Sequence, residues 1–309
     1  MTIREIDERM TAIEEERRQE EGLTEARARE LEQEYAALCK ECENVTAHDN
    51  VFLARHRRRP KIDDYINALF TDFFVQRGDL LSKEDQSIFG GIAMYHGIPV
   101  TVLGHRKGKN INDNMKYNFG MPEPEGYRKA LRMMKQAEKF GRPIITFIDT
   151  PGAYPGLEAE EHGQSNAIAR NLAEMSALKT PIFSIVTGEG SSGGALAIGV
   201  ANKVYMLEHA VYSVLSPEGF ASILWKDSSR AAEACDLMKL TAQDLYRFGV
   251  IDGIIPEPAC GAHHNPDEVF KSIDRMLIKE FNAMKRMSPT DIAKARYEKF
   301  RNIDKLVRK

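Results

Sequence analysis

Apolar residues near the start of the chain recur at helical spacing. The first stripe consists of Ile3, Ile6, Met10 and Ile13, and the second of Leu31, Tyr35, Leu38 and Cys42. These stripes predict two helices with a break near Gly22, the first opened by a capping-box pattern at Thr2 and Glu5. Both stripes are too short for a free-standing coiled coil. We therefore expect a helical arm over residues 1–45 that packs on its own domain or on a partner chain.

From about residue 88, short apolar runs alternate with helical stripes. The predicted strands are 98–103, 143–149, 181–186, 203–207 and 211–215, and the predicted helices are 123–140, 163–178 and 193–200. Gly141 before Pro143 is a typical helix stop. The rest of the chain reads as mostly helical. The alternation predicts an α/β domain with a largely parallel sheet over 46–285, followed by a charged helical tail at 286–309.

Two glycine-rich segments, 149–156 and 187–194, directly follow predicted strands. Ligand sites of α/β sheets lie at this edge. Glycine lets the backbone approach a ligand closely, and the first turn of a helix offers unpaired N–H groups. We expect the two segments to form a cleft of backbone donors for a developing oxyanion. The alternative is that the glycines only make tight turns and close packing.

The second glycine segment also fits a dinucleotide-binding pattern. Gly188, Gly190 and Gly193 spell G-x-G-x-x-G between a strand and a helix, and the acidic Glu208 follows. The predicted helix is only about two turns long, and the motif lies late in the chain instead of in an opening βαβ unit. This alternative stays open but is disfavoured.

The same segment contains the short G-x-S-x-G pattern of a nucleophile elbow around Ser192. The order of serine, acid and histidine is available in Ser192, Asp252 and either His263 or His264. So short a pattern often arises by chance. It also leaves the first glycine segment unexplained.

Cysteines and histidines give little indication of a metal. Cys39 and Cys42 form C-x-x-C on a predicted helix, and Cys260, His263 and His264 could add ligands, but the spacing matches no zinc pattern. We therefore predict ordinary packing and no metal. Four cysteines in the chain are also too few for a disulfide scaffold, which indicates a reducing compartment.

Composition narrows the class of protein further. The chain has 309 residues, 29% of them charged, and a net charge of −3, which gives no reason to expect nucleic acid as a partner. The start of the sequence has no apolar signal region and no run is long enough to span a membrane, so we expect a cytoplasmic protein. A P-loop for ATP is missing. The basic run 55–61 is either a solvated patch or a phosphate-binding segment.

Longer collinear segments resemble the alpha subunit of the acetyl-CoA carboxylase carboxyltransferase. They are 118–122, 124–131, 143–156, 194–199, 216–219 and 254–258. The resemblance runs in register over roughly 45–270. It implies a crotonase-like α/β fold, a spiral of ββα units, with an N-terminal helical arm and C-terminal helices.

The resemblance also implies an activity and partners. The alpha subunit pairs with a beta subunit, as an alpha2beta2 heterotetramer, and the active site lies between them. Carboxybiotin on a biotin carboxyl carrier protein donates its carboxyl group to acetyl-CoA, giving malonyl-CoA for fatty acid biosynthesis. ATP is consumed by a separate biotin carboxylase. The alternative within this fold is a carboxyltransferase for another acyl-CoA of the propionyl-CoA type.

Site residues follow from the matching motifs. The resemblance implies that Gly193 and Gly194 direct N–H groups at the biotin ureido oxygen and that Gly152 and Ala153 form the opposite wall. The remaining implied residues are Tyr154, Pro155, Gly156 and Gly190 around biotin, and Arg55 and Arg59 for coenzyme A.

Two positions depart from the family pattern. Arg57 stands where the family's basic segment has proline, and Ser191 stands where glycine is common. A β-carbon at Ser191 is tolerated if φ there is negative. The extra charge at Arg57 would favour either coenzyme A phosphates or the partner surface.

Overall fold

The computed structural model describes residues 1–19 and 24–305, so the predicted break near Gly22 and the last residues of the tail lie outside the described residues. The strands are β1 (Thr71–Val75), β2 (Ile88–Tyr95), β3 (Ile98–His105), β4 (Ile144–Thr150), β5 (Ile182–Ser191), β6 (Lys203–Leu207), β7 (Val211–Ser213) and β8 (Gly253–Ile255). They form one sheet in the order β1-β2-β3-β4-β5-β6-β8, with β7 paired to β5.

Helices surround this sheet. In chain order they are α1 (Ile3–Arg18), α2 (Glu25–Glu41), α3 (Ala47–Ala54), α4 (Ile62–Leu69), α5 (Ile111–Lys116), α6 (Pro124–Lys139), α7 (Leu157–Glu161), α8 (Gln164–Ala177), α9 (Ser192–Leu196), α10 (Pro217–Trp225), α11 (Ala231–Met238), α12 (Ala242–Arg247), α13 (Pro266–Met284) and α14 (Pro289–Arg301). Short 3₁₀ turns lie at Cys42–Asn44, Asn118–Gly120, Ser228–Arg230 and Ile303–Lys305.

The sheet is largely parallel, as the sequence predicts, with two antiparallel strands at one edge. Strands β3, β4, β5, β6 and β8 run parallel, but β1 and β2 add antiparallel to β3. The prediction missed β1, β2 and β8. In β2, a β-carbon at Gly91 would overlap the backbone of Phe74 in β1, so close strand packing requires glycine where a strand pattern would show a side chain.

The core lies around β4 and β5, in which every residue is buried. Such fully buried central strands read as continuous apolar runs, which is why the sequence predicts both. Helix α6 packs against α8 and the neighbouring strands β2 and β3. The two buried central strands thus position the loops that follow them.

The predicted N-terminal arm is confirmed as two helices that pack on each other. Met10, Ile13 and Leu31 are fully buried, and Leu53 of α3 joins the same apolar cluster. The Thr2–Glu5 capping box is present at the start of α1. The arm therefore packs on its own domain.

The structure also pairs Cys42 with Cys260 as a disulfide between the end of α2 and the 258–264 loop. The cysteine count gives no indication of this pairing, because the two residues lie 218 positions apart.

The C-terminal helices are more than a charged, solvated tail. Arg296 of α14 is fully buried and donates hydrogen bonds to the carbonyls of Met175, Leu178 and Thr180 and to the Asn202 side chain. Charge density along the sequence gives no indication of this contact. The predicted boundaries at 45 and 285 stay predictions. Within the described ranges, every helix is too short or too polar to cross a membrane.

Candidate functional site

The two glycine segments lie side by side at one edge of the sheet. Strands β4 and β5 pair in parallel, and Thr150 aligns with Gly190 at their carboxyl ends. A β-carbon built on Gly194 would lie 2.6 Å from the Ala153 nitrogen and 2.6 Å from the Gly152 carbonyl carbon. The start of α9 therefore packs directly on the backbone of the first loop, and only glycine permits this approach.

A cleft of about 560 Å³ opens above this contact. Its lining comes from both loops, from the 214–216 segment and from three charged side chains: Arg55, Glu189 and Glu218. The structure thus brings Gly152, Ala153 and the start of α9 to one open cavity.

Backbone conformation limits which groups can donate hydrogen bonds here. Gly152 has φ of 144°, a conformation that disfavours side chains, and its N–H already donates to the Thr150 hydroxyl at 3.0 Å. Gly193 and Gly194 lie in the first turn of α9, where N–H groups lack intrahelical partners. Ser191 has φ of −122°, so its β-carbon is tolerated as predicted, whereas Ser192 takes the left-handed value of 56°.

The first loop is held in place from beneath. The Tyr154 N–H donates to the Pro122 carbonyl at 3.0 Å, and the Gln164 side chain donates to the carbonyls of both residues at 2.9 Å. The Tyr154 ring lies over Gly156, where a β-carbon would overlap it. Pro155 is exposed to solvent.

Gly190 lies away from the cleft surface, although the resemblance implies a role in binding biotin. It is buried within β5, and a β-carbon there would lie 3.0 Å from the Tyr212 ring. The structure places this glycine as a packing residue beneath the site.

A buried ion network lies under the two loops. The Lys107 ammonium is 2.8 Å from Asp149 Oδ1 and 3.0 Å from Glu189 Oε1. Burial favours the neutral forms of all three groups, but the opposite charges prevail: they raise the pKa of Lys107 and lower the pKa of Asp149 and Glu189. The network therefore clamps the ends of β4 and β5 together.

Arg55 extends this network to the rim of the cleft. Its guanidinium donates to Glu189 at 2.8 Å and to Glu218 at 2.8 Å. Beneath the loops, burial lowers the pKa of His105 to about 3, so this imidazole is neutral at pH 7. The sequence analysis missed Lys107, Glu189 and His105. One feature of the sequence could have indicated this network: Asp149 and Glu189 lie near the ends of two otherwise apolar strands.

Arg59 does not reach the cleft, contrary to the role that the resemblance implies for it. Its side chain is fully buried, and both terminal nitrogens pair with Glu257, while its Nε donates to the Thr187 carbonyl. With its donors bound inside the protein, Arg59 positions the end of β5 and has no contact with the cleft.

The two disfavoured alternatives for the second loop lack their required geometry. His263 and His264 bind Asp7 of α1, and Asp252 binds the Val204 N–H, so no triad forms around Ser192. Helix α9 has only five residues.

Solved structures with a similar fold are carboxyltransferases and a related decarboxylase. The transcarboxylase 12S structure superposes with a TM-score of 0.60 at 19% identity, covering 79% of this chain and 46% of its own. A Pseudomonas malonate decarboxylase hetero-tetramer in complex with coenzyme A superposes with a TM-score of 0.60 at 15% identity, covering 75% of this chain and 90% of its own. This chain spans about half of the transcarboxylase length. The fold is that of the crotonase-like carboxyltransferases.

Sequence comparison then identifies the family. The family described as "Acetyl co-enzyme A carboxylase carboxyltransferase-like" matches residues 1–304. Acetyl-coenzyme A carboxylase carboxyl transferase subunit alpha of Listeria monocytogenes serotype 4b is 57% identical, over 84% of this chain and 82% of its own. The subunit alpha of Geobacillus thermodenitrificans is 54% identical, over 97% of this chain and 91% of its own length. The chain belongs to the family of acetyl-CoA carboxylase carboxyltransferase alpha subunits.

Proposed function

We propose that the cleft between the two glycine loops is this chain's half of an active site that moves a carboxyl group from carboxybiotin to acetyl-CoA, forming malonyl-CoA. The observation that carries the proposal is the direct packing of Gly194 on Ala153. It sets backbone groups of both loops around one cavity. Family membership supports the same reaction.

The reaction develops negative charge on oxygen, which is what backbone donors stabilise. The N–CO₂ bond of carboxybiotin breaks and a carbon–carbon bond forms at the acetyl methyl group, whose proton passes to the ureido anion left behind. The N–H groups of Gly193 and Gly194 stabilise the ureido oxygen. Because the Gly152 N–H is already bound to Thr150, the donor from the facing loop is the Ala153 N–H.

In this proposal, residues of the first loop shape the biotin site, and an arginine on the cleft wall supplies positive charge. Tyr154, Pro155 and Gly156 follow the cleft-lining residues Gly152 and Ala153 in the first loop, and they shape the slot for the biotin ring system. Arg55 lies on the cleft wall and attracts coenzyme A phosphates. Arg59 takes the part of a positioning residue, since its donors are bound to Glu257 and Thr187.

The proposed complex contains further chains. A beta subunit completes the site in an alpha2beta2 heterotetramer, a biotin carboxyl carrier protein delivers carboxybiotin, and a separate biotin carboxylase uses ATP. The word "alpha" in the relatives' names and the hetero-tetramer of the malonate decarboxylase support a multi-subunit assembly. The cytoplasmic location expected from the sequence stays a prediction.

A glycine substitution tests the loop contact. In Gly194→Ala the added methyl group overlaps the Ala153 nitrogen and separates the two loops. Loss of one oxyanion donor typically costs about 10²–10³ in rate, and we expect a decrease of that size in kcat. The measurement is malonyl-CoA decarboxylation with a biotin analogue, using this chain in complex with the beta subunit.

The matched control is Gly97→Asn in the β2–β3 turn. A β-carbon at Gly97 meets no atom within 4 Å, and asparagine tolerates the positive φ of this residue. The control is expected to turn over at the wild-type rate. A Gly194→Ala complex that forms normally and matches the control would refute the assignment.

A further inference from the structure

Four side chains from three segments converge where helix α1 meets the main domain. Asp7 comes from α1, His56 follows α3, and His263 and His264 precede α13. Asp7 Oδ1 lies 2.6 Å from His263 Nε2 and 3.1 Å from His264 Nε2, while Asp7 Oδ2 lies 3.3 Å from His56 Nε2. In all three histidines the Nε2 atom faces the Asp7 carboxylate.

These groups are removed from solvent. The side chains of His263 and His264 are fully buried, and those of Asp7 and His56 are 6% and 12% exposed. The rings of His56 and His263 stack with centroids 3.9 Å apart, and those of His263 and His264 lie 4.2 Å apart.

A second carboxylate selects the ring tautomer that a metal requires. Glu14 lies 2.6 Å from His264 Nδ1. When Glu14 accepts a hydrogen bond from the Nδ1–H, the lone pair of Nε2 points toward Asp7. Carboxylates bound in this way to the outer nitrogen of a histidine are the usual second layer of a metal site.

We propose that Asp7, His263 and His264, whose ligand atoms all lie within 4.8 Å of one another, bind one divalent transition-metal ion of the zinc class, which fastens helix α1 to the main domain. Zinc binds histidine nitrogen at about 2.0–2.1 Å in tetrahedral geometry, which separates ligand atoms by about 3.3 Å. Asp7 Oδ1 lies 2.6 Å from His263 Nε2 and 3.1 Å from His264 Nε2, and the three ligand atoms all lie within 4.8 Å of one another. Two imidazoles and one carboxylate favour zinc over calcium or magnesium and leave the fourth position of a tetrahedral site open.

An ion has a path to this site. A surface cleft of about 660 Å³ is lined by Asp7 and His56, together with Arg4 and Thr11 of α1. The sequence analysis predicted no metal, because it grouped His263 and His264 with the cysteines. Folding instead joins them to Asp7, 256 positions away from His263.

Zinc binding by the full-length chain tests the proposal. After removal of metals with a chelator, the chain is titrated with zinc chloride by calorimetry, and bound metal is counted after dialysis. We expect one ion per chain and a higher Tm with zinc. Glu14→Gln is expected to weaken binding about 10–100-fold, the usual effect of losing an outer-layer carboxylate. His263→Asn is expected to abolish the saturable binding.

Two controls separate this site from other ligands. His48→Asn changes an exposed histidine outside the cluster and is expected to leave binding unchanged. The double variant Cys42→Ser, Cys260→Ser removes the nearby sulfurs and is also expected to keep binding. Circular dichroism verifies that each variant folds. If His263→Asn does not fold, cobalt replaces zinc in the wild type, and a visible spectrum typical of tetrahedral nitrogen and oxygen ligation is expected.

Three results would overturn the proposal. The first is a folded wild-type chain that takes up no zinc at micromolar concentration. The second is equal binding by the wild type and a folded His263→Asn variant. The third is loss of binding in the double cysteine variant, or a cobalt spectrum with thiolate charge-transfer bands, because either would assign the ion to sulfur.

Discussion

Single residues determine how closely the two glycine loops approach. Gly194 is constrained by Ala153, and Gly152 by its own φ of 144°. Lys107 constrains the same region from below, because it neutralises Asp149 and Glu189 at the ends of adjacent strands. The loop geometry therefore depends on backbone space above the sheet and on charge balance beneath it.

Removing the buried cation should destabilise the protein. Lys107→Met leaves the carboxylates of Asp149 and Glu189 without their shared partner. Loss of one member of a buried ion pair typically costs about 3–5 kcal/mol, and we expect a decrease of that size in the free energy of unfolding. Urea denaturation at pH 7 measures it. Lys109→Met is the matched control, because Lys109 is 64% exposed and surface pairs contribute little.

The same substitution should change the pH dependence of stability. In the wild type, the lowered pKa values of Asp149 and Glu189 mean that their stabilisation is present above the ordinary values of 3.8 and 4.5 and is lost as pH falls through the lowered values. In Lys107→Met the two facing carboxylates repel each other and protonation relieves this repulsion, so the loss of stability relative to the wild type should be largest near neutral pH and should shrink as pH falls. A loss of stability that is equally large at neutral and at acidic pH, measured by urea denaturation and followed by circular dichroism, would contradict the role assigned to Lys107.

The glycine loops could be predicted from sequence, but the ion network could not. Glycines directly after apolar strands mark close backbone approach whatever their partners are. Lys107 instead precedes Asp149 by 42 positions and Glu189 by 82. Only the folded sheet brings these charges together. For the same reason, burial of Arg59 against Glu257 could not be read from the basic run 55–61.

At the scale of elements, the predictions succeeded where a single strand or helix carries its own pattern. Strand β6 begins and ends as predicted, and α6 and α8 agree to within one residue at each end. Strand β5 extends five residues beyond its predicted end at 186, because the backbone of the second glycine segment continues the pairing with β4 and β7. The sequence analysis missed β1, β2 and β8 because their own alternation of apolar and polar residues does not mark them as strands. They are strands through their pairing with neighbouring strands.

Helix α14 should owe its position to one side chain. Arg296→Met removes four hydrogen bonds and leaves buried acceptors at Met175, Leu178 and Thr180 without donors. An unsatisfied buried group costs about 1–3 kcal/mol, so we expect a decrease of at least about 2 kcal/mol in the free energy of unfolding. Hydrogen exchange should increase across 289–301.

The control for this prediction lies in the same helix. Lys294 is 70% exposed, and Lys294→Met is expected to change neither stability nor exchange beyond a few tenths of a kcal/mol. If exchange across 289–301 is unchanged in Arg296→Met, the guanidinium does not anchor the helix.

At the scale of the whole molecule, the site is open and built mainly from backbone. The described residues around the cleft provide donors and an ion network, but no acid–base pair beside the loops. This composition agrees with a reaction in which the ureido anion itself takes the methyl proton. The N-terminal arm, packed on the domain through Met10 and Leu31, leaves that cleft uncovered.

The most direct measurement is the reverse reaction, in which malonyl-CoA and a biotin analogue yield acetyl-CoA. It is made with this chain alone and again after mixing with the beta subunit. The account predicts no turnover by the chain alone and acetyl-CoA release by the mixture. Turnover by the chain alone would contradict a divided site. A mixture that forms a complex but leaves malonyl-CoA unchanged would contradict the proposed reaction.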